Sequence, residues 1–173
     1  MSIIAKNDGG SYRVHPEGQY PAVCCDVVDL GMVKVEFGGK TKQQHKIRVV
    51  FQTDERDPDT RKRLQTSQRF TLSMHEKANL RKFLESWRGR AYTEDEAKAG
   101  VDVELMVGVH ALLQVTHTTK NGKTYDNITS IMRLPKGMPK LEIQDYVRVK
   151  DREPDGPPPD DEYPIDETDD LPF

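Results

Sequence analysis

Apolar and polar positions alternate with a period of two along most of the chain. Gly18 to Leu30 (GQYPAVCCDVVDL) has the composition of one long β-strand, and Gly31 after it marks a bend or bulge. Met32 to Phe37 continues the alternation, with Val33 and Val35 set against Lys34 and Glu36, and Gly38-Gly39-Lys40 supplies a hairpin turn. In Lys46–Gln52, Ile47, Val49 and Phe51 take the core side, while Lys46, Arg48 and Gln52 take the outer side. Asp54 to Gln68 loses the period and predicts a polar mobile loop with a basic centre at Arg61-Lys62-Arg63. A short strand follows at Arg69–Leu72.

The period then changes to that of a helix. Leu80, Phe83, Leu84 and Trp87 have the i, i+3, i+4, i+7 spacing of one buried face, and Gly89 ends the segment. Ser73 with Glu76 three residues on predicts the start, as a capping box; Thr93 with Glu96 predicts a second, short helix that Gly100 stops. Alternation returns at Val109–Thr118, with Val109, Ala111, Leu113 and Val115 on one face. Asn121-Gly122 predicts a type I′ hairpin back through Tyr125–Met132. The resulting order, three strands, a helix and two strands, with a long first strand, predicts a mainly β protein: a five-stranded OB-fold Greek-key barrel with a helix between strands 3 and 4. The expected organisation is a flexible arm over 1–16, the barrel over 17–137, a linker over 138–150 and a disordered acidic tail over 151–173.

Charge divides at the same boundary. Residues 151–173 hold ten acidic residues and one basic one, a balance of −9, against +6 for the first 150 residues. A basic body attracts polyanions and an acidic tail repels them, so the pattern favours a polyanionic ligand. The two cysteines, Cys24 and Cys25, are adjacent, a poor geometry for a disulfide and no zinc spacing. The start, MSIIAKNDGG, has no apolar stretch of signal-peptide type, and no run approaches membrane-spanning length. A cytoplasmic location is expected, and the sequon at Asn127 is then without consequence.

No motif predicts an enzyme. Gly39-Lys40-Thr41 and Gly122-Lys123-Thr124 lack the earlier glycine of a phosphate loop, those positions being Lys34 and His117, and both triplets join strands rather than opening a helix. The five histidines have no metal-ligand spacing, no nucleophile elbow is present, and Glu94-Asp95-Glu96 has the position of helix-start charge. No metal and no cofactor are expected. Binding features are richer. Coating a single strand needs cations along a groove and aromatic faces for base stacking. Lys34, Phe37, Lys40 and Lys42 on the first hairpin, Lys46 and Arg48 on the next strand, Arg61, Lys62, Arg63 and Arg69, and Lys120, Lys123 and Tyr125 on the last hairpin are the candidates. Phe51 and Trp87 are assigned to the core.

The tail closes on Asp169-Asp170-Leu171-Pro172-Phe173. Acid and proline account for solubility, but Leu171-Pro172-Phe173 calls for a partner with an apolar pocket rimmed by cations. These five residues closely resemble the acidic tip of bacterial single-stranded DNA-binding proteins. Tyr20-Pro21-Ala22-Val23, the segment Leu84-Glu85-Ser86-Trp87-Arg88-Gly89-Arg90 and the hairpin Asn121-Gly122-Lys123-Thr124-Tyr125 are similar to phage- or prophage-encoded single-strand binders. The body departs from the bacterial housekeeping protein, so neither its tetramer nor its stacking tryptophans carry over, and a homo-oligomer of another kind stays open. The resemblance implies a sequence-independent protein that coats single-stranded DNA in replication, recombination or repair. Its tip would recruit partner proteins and compete with DNA. The alternative is an adaptor or inhibitor whose tail imitates a host peptide to capture replication proteins, with no DNA ligand of its own.

Overall fold

The computed structural model describes residues 14–151. The expected arm before residue 14, and the acidic tail with its tip Asp169–Phe173, lie outside the described residues.

One five-stranded antiparallel sheet dominates, in the order β3-β2-β1-β4-β5. Its strands are β1 (Gly18–Phe37), β2 (Lys40–Arg56), β3 (Arg63–Thr71), β4 (His110–Lys120) and β5 (Lys123–Met132), with helices α1 (Asn79–Arg88) and α2 (Glu94–Ala99) between β3 and β4. β1 is the central strand. Its first part pairs with β4 from Gly18↔Val115 to Val23↔His110, and most of its length pairs with β2, ending at Phe37↔Lys40. The expected irregularity at Gly31 is present as a register shift between Asp29 and Gly31, with a second between Cys24 and Asp26, and the strand continues through both. The two predicted hairpin turns have the backbone that type I′ demands: Gly38 and Gly39 at φ 56 and 80, Asn121 and Gly122 at φ 53 and 78.

The sheet curls until its end strands meet. Thr66 of β3 donates its hydroxyl to Asp126 of β5 at 3.1 Å, and the other oxygen of Asp126 accepts the backbone N–H of His15 at 2.7 Å. His15 is fully buried. Its Nδ1 donates to the Pro16 carbonyl, which leaves Nε2 facing the Thr53 hydroxyl at 2.5 Å. This polar plug ties β2, β3 and β5 to the start of the chain, so residues 15 and 16 belong to the folded body. Tyr20 packs edge-on against the His15 ring, with centroids 4.5 Å apart.

Inside the curl, Phe51 stacks obliquely on Trp87 at 5.3 Å and Phe70 on Phe83 at 4.6 Å. Leu80, Leu84 and Trp87 are the buried face of α1, as their spacing predicts, and Trp87 Nε1 donates to the His110 carbonyl at 2.9 Å. Each such side chain contributes roughly 1.5–3 kcal/mol by leaving water. Gly89 caps α1 in the left-handed region, and Thr93 and Glu96 form the expected capping box of α2.

Two expected boundaries are corrected. The segment Asp54–Gln68 is not one loop. β2 runs on to Arg56 and β3 begins at Arg63, leaving only 57–62 as the turn. Leu64, Thr66 and Phe70 supply an inward row that polar neighbours hide in a sequence scan. Helix α1 starts at Asn79 rather than after Ser73, with Ala78 as N-cap and no side-chain cap. The Ser73 hydroxyl instead accepts the His75 N–H in a local turn.

Candidate nucleic-acid interface

Alternation along β2 and β3 puts Ile47, Val49, Phe51, Leu64, Thr66 and Phe70 in the interior. The opposite face of the same pair of strands carries the cations. Arg48 stands directly across from Arg69, and Arg56 directly across from Arg63. Like charges opposite one another on a sheet repel, at a cost of roughly 0.2–1 kcal/mol per pair, and an anion lying between them removes that cost. Lys46 is on this face too, but it is buried, and Arg48, Arg63 and Arg69 are half-buried. The expected outward, solvated positions of Lys46 and Gln52 are therefore corrected: Gln52 is 1 % exposed.

Gln52 is covered by the C-terminal segment 141–149, part of the stretch expected to be a linker. This strap crosses the outer face of the sheet. His110 on β4 donates to the Leu141 carbonyl at 2.8 Å, and Arg63 on β3 donates to the Glu142 carbonyl at 2.7 Å. Gln52 and the Gln144 backbone exchange two hydrogen bonds, at 2.6 and 2.9 Å, and Arg56 reaches the Gln144 side chain. The strap is anchored at Asp26 of β1, a buried carboxylate that accepts from the Tyr146 hydroxyl, Arg148 Nε and the Val149 N–H at 2.7, 2.9 and 2.9 Å. Arg148 also pairs with Glu104 at 2.8 Å. Burial acts to raise the Asp26 carboxyl. The Val149 amide, the Tyr146 hydroxyl and Arg148 outweigh it and hold the group below the ordinary carboxylate range.

The remaining predicted cations fall into two groups at opposite ends of β1. Lys34, Lys40 and Lys42 are exposed on the β1–β2 hairpin, which extends beyond the last β3 partner of β2, Lys46↔Thr71. Phe37 ends β1 there, and only its backbone is described. Lys120, Lys123 and Tyr125 are on the β4–β5 hairpin, which extends past Gly18 at the other end. Arg61 and Lys62 are exposed in the 57–62 turn at that same end, where Ala22↔Thr53 fixes the level of β2. The predicted residues thus do not form one cluster. They form a central arginine face flanked by two basic hairpins.

Residues absent from the expectation are Arg56, Asp26, Arg148 and the Gln52–Gln144 contact. Arg56 was hidden together with the row Leu64, Thr66 and Phe70, whose inward character shows only once β3 pairs with β2. Asp26 and Arg148 are 122 residues apart, and no local pattern connects them. Both cysteines are buried, and burial pushes the Cys24 thiol up to about 12, which leaves little thiolate for chemistry near neutral pH. Among the described residues no group of three or more His, Cys, Asp or Glu is placed to hold a metal ion, and no helix is long and apolar enough to cross a membrane. No protein-family model matches the chain, and no curated protein matches it either.

Proposed function

We propose that this chain is a sequence-independent single-stranded DNA-binding protein of the OB type, phage-like, with a C-terminal tip that recruits replication, recombination or repair proteins. The observation that carries the reading is the outer face of β2–β3, where Arg48 stands opposite Arg69 and Arg56 opposite Arg63. A sheet that sets arginines against arginines is matched to a repeating anion. The strand order supports it: a central β1 shared by β2 and β4, a helix between β3 and β4, and a curl closed by Thr66 and Asp126 suit a small barrel. Two basic hairpins at the ends of that face have the placement of the loops with which such barrels grip single strands. The tip Asp169–Phe173 supports recruitment by its resemblance to the bacterial single-strand binders.

Fluorescence anisotropy with single-stranded DNA, double-stranded DNA and RNA of equal length tests the reading. The expected result is tight, sequence-tolerant binding with a preference for single-stranded DNA. Absence of binding would return the protein to the adaptor class. Phe173→Ala should abolish capture of partner proteins while leaving DNA affinity unchanged.

A further inference from the structure

We propose that the strap, 141–149, is a displaceable cover over a second polyanion subsite formed by Arg56 and Arg63, so that the protein binds nucleic acid in a short and a long footprint. The inference rests on the single-strand-binding reading and adds a switch to it. Arg48 is level with Val28 of β1 and opposite Arg69, whereas Arg56 and Arg63 donate hydrogen bonds to the strap itself.

Arg63 is half-buried beneath the strap and Arg56 is exposed at its edge, and the acceptors that the pair meets are neutral. Arg63 donates to the Glu142 carbonyl, and Arg56 donates to the Gln144 side chain and to the Arg61 carbonyl. Among the described residues nothing accepts from the buried Nε–H of Arg63. A guanidinium with one donor buried and unmet is poorly matched to the peptide carbonyls over it and well matched to a phosphate, which accepts bidentately. The strap therefore occupies these arginines without neutralising them.

The strap also buries little apolar surface. Only Leu141 within it is buried, and Ile143, Val147 and Val149 leave 38 %, 59 % and 40 % of their surface in water. Its attachment is polar and concentrated at Asp26 and Gln52. A segment with little buried apolar surface opens at low free energy. A strand of phosphates continuing from Arg48–Arg69 along β2–β3 would compete for Arg63 and Arg56, lifting the strap as it advances.

Arg148→Gln separates this idea from simple electrostatics by its sign. The variant loses a cation and bares Asp26, and both changes weaken polyanion binding if the strap is a fixed wall. If the strap is a cover, its release adds two arginines. The plot of log affinity against log salt for oligo-dT should then steepen by ~1.4, two phosphates at ~0.7 each, with affinity at 0.1 M salt rising roughly tenfold or more and the bound length growing. Tyr146→Phe, which changes no charge, should act in the same direction more weakly. Amide hydrogen exchange at Gln144 and Val149, measured without DNA, should accelerate in both variants, while a urea midpoint shows that the body stays folded. Unchanged exchange, or weaker binding with a shallower salt slope in Arg148→Gln, overturns the cover. If the wild-type chain binds and only the variant result fails, the subsite alone falls. If neither binds oligo-dT, the single-strand-binding reading falls and the subsite with it.

Discussion

Replacing Arg48 and Arg69 together by glutamine tests whether the central arginine face binds phosphates. The two residues are directly opposite on β2 and β3, half-buried, and on the face away from Ile47, Val49 and Phe70. Glutamine keeps much of each side chain's aliphatic length, so packing changes little. If each guanidinium neutralises one phosphate, the double variant lowers the slope of log affinity against log salt by ~1.4. At 0.1 M salt that slope amounts to a factor of ~25, or about 1.9 kcal/mol. Anisotropy with fluorescent oligo-dT from 50 to 400 mM salt reads both quantities. A urea midpoint provides the control that the fold survives the substitutions. A slope altered by less than ~0.3, with the fold intact, would refute the arginine face as the DNA path.

Three further outcomes are expected. Deleting residues 152–173, which removes eight net negative charges, should tighten binding to single-stranded DNA at low salt, with the gain fading above about 0.3 M as screening shortens. Lys123→Ala with Tyr125→Ala should weaken DNA binding by roughly 1–3 kcal/mol if the Tyr125 ring stacks on a base, as read by the same titration, with a thermal melt to show that the body stays folded. Asp26 has its pKa depressed in the folded state, so its contribution to strap attachment is complete above the ordinary carboxylate range and is lost as pH falls through the lower, folded value. NMR amide shifts of Val149 should therefore move below about pH 4 and stay constant from pH 5 to 8.

The parts of the fold legible in the sequence are those set by local chemistry. Gly38-Gly39 and Asn121-Gly122 force positive φ and hence tight hairpins, the Leu80–Trp87 spacing marks one helix face, and Thr93 with Glu96 builds its own cap. The misjudged parts are those in which a distant partner decides. Arg63–Gln68 resembles a polar loop until β2 pairs with it, because Thr66 contributes no hydrophobicity and is nevertheless buried by its bond to Asp126. Gln52 has the alternation of a solvated position, yet it is buried and bonded to the backbone of Gln144, 92 residues later. The candidate cations were identifiable one by one from charge and alternation. Their division into a central face and two flanking hairpins depends on register, which local patterns do not set.

A double-mutant cycle separates the effect of the strap on DNA binding from that of the acidic tail. Arg148 and Val149 bond to Asp26, two residues along β1 from Val28, which stands opposite Arg48. If Arg148→Gln acted only by freeing the tail, its effect would vanish once residues 152–173 were deleted. If it acts by uncovering Arg56 and Arg63, the effect persists in the deletion background. Releasing the strap lengthens the tether between the body and the tip from 22 residues to about 33, and an effective concentration falling as the −3/2 power of length drops by about twofold, or ~0.4 kcal/mol. The cover hypothesis thus requires the two changes to add to within ~0.5 kcal/mol in DNA affinity. A coupling above ~1 kcal/mol would mean that the strap's influence passes through the acidic tail and not through the arginines beneath it.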